Sequence, residues 1–531
     1  MTAFRPLVAL LLLAGVLSAE EPRVEQIIDR EIDAKLTAEN ISAAPVAADT
    51  AILRRTMLDL VGRIPTAAEA RAYAEDGNPD KRVALVERLL DSPAFARHQA
   101  AEFNTLLMSG TNSDLRDYLK TAFEEKRSWK QMFREMIVGV DNDPEQKGPL
   151  KFVRARVSDL DKLTNDAAVI FFGVNVSCAK CHDHPLVPDW TQGHYFGMTS
   201  FFNRSFSHEN FVGEKGYGVV EYKTVAGEAK KAQLMFLTGR TLDEPENVEP
   251  DDAAKKEEKK QLEELKKNKQ PPPPPTFSRR AKLVEALDAE DATRMFANAA
   301  VNWQWRRFFG RGLVHPADQM HTGSTASHPA LLTELGNDFS AHNYDLRRLI
   351  RGIVLSQAYA RSSRWESGPP PKEELFAVGS IRPLSPAQYG TLLKFAAANP
   401  DDWKPDLAAE QFAKKVEQME SAGRGLGGNF ELPGDDFQVS VDEALFFSNS
   451  DRVLKELLPA NDGTIVGKLK KAENANAAID LATWNVFNRP ANDEERRALT
   501  EFLHRREGRA DDAYQQLLWA LVTSGECRFN H

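Results

Sequence analysis

Apolar residues near the start of the chain recur at three- and four-residue steps: Val24, Ile27, Ile28, Ile32 and Leu36. That spacing is the buried stripe of an amphipathic helix. The same periodicity predicts helices over 51–61, 81–90, 94–108 and 160–172. Thr66 followed by Glu69 has the pattern of a capping box, which starts another helix just after Pro65. The texture changes after Phe206. Residues 217–225 alternate apolar and polar side chains and are rich in β-branched types, which predicts a strand pairing with 233–237 around Gly227. Residues 244–270 are mostly charged, with 16 Asp, Glu or Lys among 27, and run into Pro271 to Pro275. Too few apolar residues lie there to bury a face, so the segment reads as a linker.

Helical periodicity then resumes. Residues 294–309 are dense in Trp and Phe. Ser327-His328-Pro329 has the cap and first-turn proline of a helix running through Phe339. Leu346, Leu349, Ile350, Ile353 and Val354 mark the next one, and 493–504 and 512–523 the last. Residues 423–434 are glycine-rich and read as a loop. The expected fold is mainly α: two helical domains, a small β insertion between them, and a disordered charged and proline-rich linker. The boundaries are 1–19 (a signal peptide), 20–213 (a first helical domain), 214–243 (the β segment), 244–276 (the linker) and 277–531 (a second helical domain).

The compartment is read from the N-terminus. One positive charge at Arg5 precedes an apolar run to Leu17, then small residues at Ser18 and Ala19. This is the plan of a secretory signal peptide. The apolar run falls short of the roughly 20 residues that span a bilayer. No later stretch has that length, so no transmembrane segment is expected after signal removal. The destination is the periplasm, the cell surface or the medium. A formal net charge of −10 with both signs interspersed argues against nucleic acid, which needs clustered Lys and Arg.

The three cysteines decide the chemistry. Cys527 stands alone and reads as a small buried residue. Cys178 and Cys181 lie three positions apart and His182 follows, the spacing of c-type haem attachment. Thiols so spaced on one turn reach the two vinyl groups of one porphyrin, and the adjoining imidazole binds the iron. His182 is then the proximal ligand. Met198 or His194 is the candidate distal ligand, with His208, Met320 and His321 as rivals. A Met ligand would raise the reduction potential relative to a second His. Two other readings stay open. Cys178 and Cys181 with two of His182, His184, His194 or His208 would suit tetrahedral zinc, and the thiols alone would suit a disulfide or redox dithiol. Asp183 and His184 are candidates to orient the imidazole, and Trp190 and Tyr195 to pack beside it. No Ser-His-Asp set or spaced carboxylate pair stands out, so no enzymatic activity is assigned.

These residues carry a family resemblance. Leu53-Arg-Arg-Thr-Met-Leu-Asp-Leu-Val-Gly-Arg-Ile-Pro-Thr and the block from Gly173 to Phe202 resemble the planctomycete-surface cytochrome domain of the second type. Asn302-Trp-Gln-Trp-Arg-Arg-Phe-Phe-Gly-Arg-Gly-Leu-Val, Ser327-His-Pro-Ala-Leu-Leu, Ile353-Val-Leu-Ser-Gln-Ala-Tyr and Glu443-Ala-Leu-Phe-Phe-Ser-Asn-Ser resemble the companion domain of the first type. Both are classed as domains of unknown function. The chain departs from the pattern at Ala330, where the family usually has Glu, and around Cys527, where it has Leu or Phe. The resemblance implies an exported bacterial protein with a haem at the CxxCH motif. The motif and the signal peptide together point to a redox or surface protein partner outside the cytoplasm, and the family's setting among secreted sulfatases and polysaccharide-degrading enzymes suggests carbohydrate breakdown by association.

Overall fold

A computed structural model describes residues 22–139, 148–184, 187, 190–404, 407–434, 437–449 and 453–531. The expected signal peptide lies outside the described residues. The fold is mainly helical, and the sheets among the described residues are small, two-stranded and antiparallel. No described helix is long and apolar enough to cross a membrane.

The expected stripe forms the buried face of the Val24–Ala38 helix, and all five of its residues are buried. The Asp49–Val61 helix ends at Gly62, whose φ of +71° is left-handed. A Cβ there would sit 2.5 Å from His98 Nδ1, so glycine is required on two counts. The capping box forms as its pattern predicts. Glu69 N–H donates to Thr66 Oγ1 (3.2 Å) while Glu69 Oε2 accepts from Thr66 N–H (2.8 Å). Arg63 then grips both Glu69 oxygens at 2.8 and 2.9 Å. The Lys81–Leu90 and Leu160–Phe172 helices match their predicted limits, and the Pro93–Leu107 helix starts one residue earlier than its pattern indicates, with proline in its first turn.

Two hydrophobic cores organise the chain. The first is built from residues between Val24 and Ala377, joined by Trp484, and holds an aromatic cluster of Trp129, Phe133, Phe171, Phe172 and Phe296. It draws on helices from both sides of the charged segment, including Glu290–Phe309, Pro329–Ala341 and Leu346–Leu355. The second core is built from residues between Leu384 and Cys527, joined by Leu58 and Ile64 from the N-terminal half. The Asp49–Val61 helix therefore contributes to both cores. Leu53, Met57, Leu60 and Val61 enter the first core and Leu58 the second.

The β segment differs in detail from its expectation. Glu221–Lys223 pairs with Ala229–Lys231 across Gly227, not with 233–237. A second hairpin, Ser205–His208 with Phe211–Glu214, precedes it. Within the charged run, Asp252–Lys267 is a helix with no buried residue, capped by the Asp251 side chain on Ala254 N–H (2.8 Å). Local charge pairing and a cap maintain such a helix without a core. Gly423 is not in a loop. It ends the Ala409–Arg424 helix, buried against Gly390 and Thr391 of the neighbouring helix. The helix expected to be capped by Ser327 begins at Pro329, with His328 in the cap position.

Candidate functional site

The CxxCH motif sits on a turn that both halves of the chain hold. The Leu160–Phe172 helix closes at Gly173 (φ +72°), where a Cβ would meet Met320 Sδ at 2.6 Å. Val174 pairs with Gln319 as an isolated β-bridge, Asn175 N–H donates to the Asp318 carbonyl (2.9 Å), and Met320 N–H donates to the Gly173 carbonyl (2.9 Å). Asn165 Oδ1 accepts from Val176 N–H (3.1 Å), and Asn175 Oδ1 accepts from Ser177 N–H (3.1 Å) and Oγ–H (2.6 Å). A short 3₁₀ turn, Ser177–Lys180, follows. Ala179 is its buried foot, while Cys178, Cys181 and His182 are exposed.

The rest of the turn is tethered by polar contacts. Lys180 forms an ion pair with Asp161, which also accepts from the Tyr195 hydroxyl (2.5 Å). Gln192 Nε2 donates to the Lys180 carbonyl (3.2 Å). Tyr195 is buried in the first core, and the Gln192–Ser200 helix carries both contacts.

Both motif thiols are free and exposed. His182 Nδ1 lies 2.7 Å from the Asp183 carbonyl. A carbonyl only accepts, so Nδ1 carries the proton and Nε2 the lone pair, the tautomer a metal-binding imidazole needs. Two thiols on one turn with that imidazole beside them suit the attachment of a c-type haem. Cys178 and Cys181 would hold its vinyl carbons and His182 its iron.

His184 is buried, and its backbone N–H donates to the Trp190 carbonyl (2.8 Å). Burial holds its imidazole below the usual histidine range, a backbone hydrogen bond at Asn175 opposes that, and neighbouring His182 adds to it. Its ring packs against Trp190 and His321. Of the other candidate distal ligands, Met320 and His321 lie beside the turn, against Gly173 and His184, and the remaining three are engaged in the fold. Met198 is fully buried in the first core. His194 Nδ1 accepts from Thr191 N–H (3.2 Å), closing the cap of its own helix. His208 is buried at the end of the Ser205–His208 strand. Among the described residues no three His, Cys, Asp or Glu side chains are grouped to hold a metal ion. Cys527 is buried as expected, and burial pushes its thiol up to about 12, against the pull of Arg54.

Sequence reasoning missed a cleft of about 1320 Å³ between the halves. Asp59, Glu102, Arg307 and Arg382 lie along it, and it extends to Asn175 and Asp318 beside the CxxCH turn. Asp59 accepts from Tyr359 Oη (2.7 Å), Arg382 Nη2 (2.7 Å) and Asn530 Nδ2 (2.9 Å). Glu102 stands 3.7 Å from Arg307 Nε. Burial raises its carboxyl above the usual range, and the Arg307 charge opposes that. The available signal was Arg54, Arg55 and Asp59 set among the apolar residues of the Asp49–Val61 helix. Their partners lie hundreds of positions away, where no local pattern points.

Two family models match the chain. PSCyt2, described as a protein of unknown function (DUF1549), matches residues 27–206. PSD1, described as a protein of unknown function (DUF1553), matches residues 279–423. No curated protein and no solved structure matches.

Proposed function

The chain belongs to the family that joins an N-terminal PSCyt2 domain to a C-terminal PSD1 domain, and from that premise we propose that it is an exported c-type haem protein that exchanges electrons with a protein partner outside the cytoplasm. The observation that carries this reading is the exposure of Cys178, Cys181 and His182 on one turn, with His182 Nδ1 committed to the Asp183 carbonyl. Cys178 and Cys181 serve as thioether anchors and His182 as the proximal ligand. The bound haem supplies one-electron iron chemistry. The chain supplies position: Ala179 roots the turn in the core, and the Asp161–Lys180 pair and Gln192 hold its far side. The exposed location favours transfer to a docked protein over chemistry in a sealed pocket.

The test uses protein made with haem-maturation machinery, boiled in denaturant and separated by electrophoresis. Wild type retains a haem stain, and Cys178→Ala with Cys181→Ala loses it completely. Wild type staining no better than the double variant overturns the reading. Metal analysis then decides what remains, since one zinc without iron identifies a surface scaffold protein instead. Export is checked by fractionation, where retention of the mature chain in the cytoplasm contradicts it.

A further inference from the structure

Three rings cluster behind the CxxCH turn, and one of them comes from the PSD1 half. His184 and Trp190 have centroids 5.5 Å apart at 85°, His184 and His321 5.7 Å apart at 57°, and Trp190 and His321 6.0 Å apart at 77°. His321 is fixed by its own loop. Gly323 N–H donates to its Nδ1 (3.1 Å), so the proton is on Nε2, which donates to Gln319 Oε1 (3.1 Å). Its contact with His184 is thus one of ring packing. The loop itself is docked on the motif strand through the Asp318–Asn175 and Gly173–Met320 backbone bonds.

We propose that His321 is a positioning residue of the CxxCH site, through which the PSD1 half tunes a haem bound at His182. The inference rests on the haem reading. The route is short and covalent for most of its length. His321 packs on His184, and His184 is bonded to Asp183. The Asp183 carbonyl orients the His182 imidazole by accepting a hydrogen bond from its Nδ1–H. The strength of that hydrogen bond sets how basic Nε2 is toward a metal, and ligand basicity is one of the levers on haem potential. Removing the His321 ring takes away one of the contacts that place His184, beside those with Trp190 and Asn175, and a shift of His184 carries the Asp183 carbonyl with it.

The experiment compares full-length wild type, His321→Ala, His321→Phe and His504→Ala, an exposed remote control. Each is assayed for covalent haem stain, absorption spectrum and midpoint potential. All four are expected to stain equally. His321→Ala is expected to shift the midpoint potential and the reduced-state bands, His321→Phe to shift them less, and His504→Ala to leave both at wild-type values. Normal staining with wild-type potential and spectrum in both His321 variants overturns the inference and leaves the haem reading standing. Failure of wild type to stain removes the haem reading, and this inference with it. Should His321→Ala not fold, His321→Gln decides alone, since it lacks the ring that packs on His184: a displaced potential supports the proposal and an unchanged one overturns it.

Discussion

The CxxCH turn and the seam around Asp59 are the two most chemically distinctive regions of the molecule, and they are held in opposite ways. In the seam, charges are buried and each is answered by partners far away in sequence. Asp59 takes three donors from residues 359, 382 and 530. Arg54 donates to the Val486 carbonyl (3.1 Å) and Asn488 Oδ1 (2.7 Å), and Arg55 donates to the carbonyls of Tyr359 and Arg361. On the CxxCH turn the reactive side chains face solvent, and His182 bonds its neighbour's carbonyl. The lesson is a division of labour. The residues that hold the two halves together carry no recognisable catalytic motif, and the residues that carry the motif contribute little to cohesion.

The largest expected effect tests the first side of that division. Asp59→Ala leaves the Arg382 guanidinium buried without its carboxylate and strands Tyr359 and Asn530. Breaking a buried pair in this way costs about 3–5 kcal/mol. Urea unfolding of the variant should show that loss. A change under about 1 kcal/mol, within the range of exposed ion pairs, would mean the seam is not what joins the halves.

The second core offers a check that the seam is not merely the one tight place. Gly390 and Gly423 meet where two helices cross, and a Cβ on Gly423 would lie 2.5 Å from Thr391 N and 2.7 Å from Gly390 C. Backbone cannot yield as a side chain does. Gly423→Ala is expected to cost about 1–3 kcal/mol, the range for overpacking, measured by the same unfolding curves. A neutral result would make this contact looser than the seam and sharpen the contrast.

Local patterns were legible and distant partners were not. The stripe from Val24 to Leu36, the Thr66–Glu69 box and the Leu160–Phe172 helix depend on neighbours three or four positions away, and each forms as its pattern predicts. The CxxCH spacing was legible for the same reason. Gly423 misled because glycine marks a loop as readily as a close helix crossing, and only the opposing backbone tells them apart. The true partner of 221–223 was obscured because short alternating segments permit several registers. The role of Asp59 and the approach of His321 to His184 depend on contacts spanning hundreds and scores of residues, for which one sequence holds no periodic signal.

The seam also predicts a pH dependence. Burial pushes His98 down to about 3, with Arg307 adding to the shift and Asp59 opposing it. In the unfolded chain this imidazole takes a proton near pH 6.5, whereas in the folded chain it does so only near 3. Between those values the unfolded state holds more protons, so stability is full above about 6.5 and falls as pH drops. One such group contributes at most about 1.4 kcal/mol per pH unit in that window. His98→Gln should flatten the difference between stability at pH 7 and at pH 5. Parallel curves for variant and wild type would show that His98 titrates normally in the folded protein.

The smallest effect bears on the other side of the comparison. If the CxxCH turn contributes little to cohesion, Cys178→Ala with Cys181→Ala should leave the unfolding free energy of haem-free protein within about 0.5 kcal/mol of wild type, as for surface substitutions generally. Both thiols are exposed and unpaired, so the truncation opens no cavity and strands no buried donor. A structural disulfide would behave otherwise, since its removal typically costs about 2–5 kcal/mol. Repeating the measurement with a chelator separates out zinc, which would destabilise only the wild type on removal. A near-zero difference under both conditions keeps the motif free of structural duty and leaves its two sulfurs and one imidazole to be explained by what they bind.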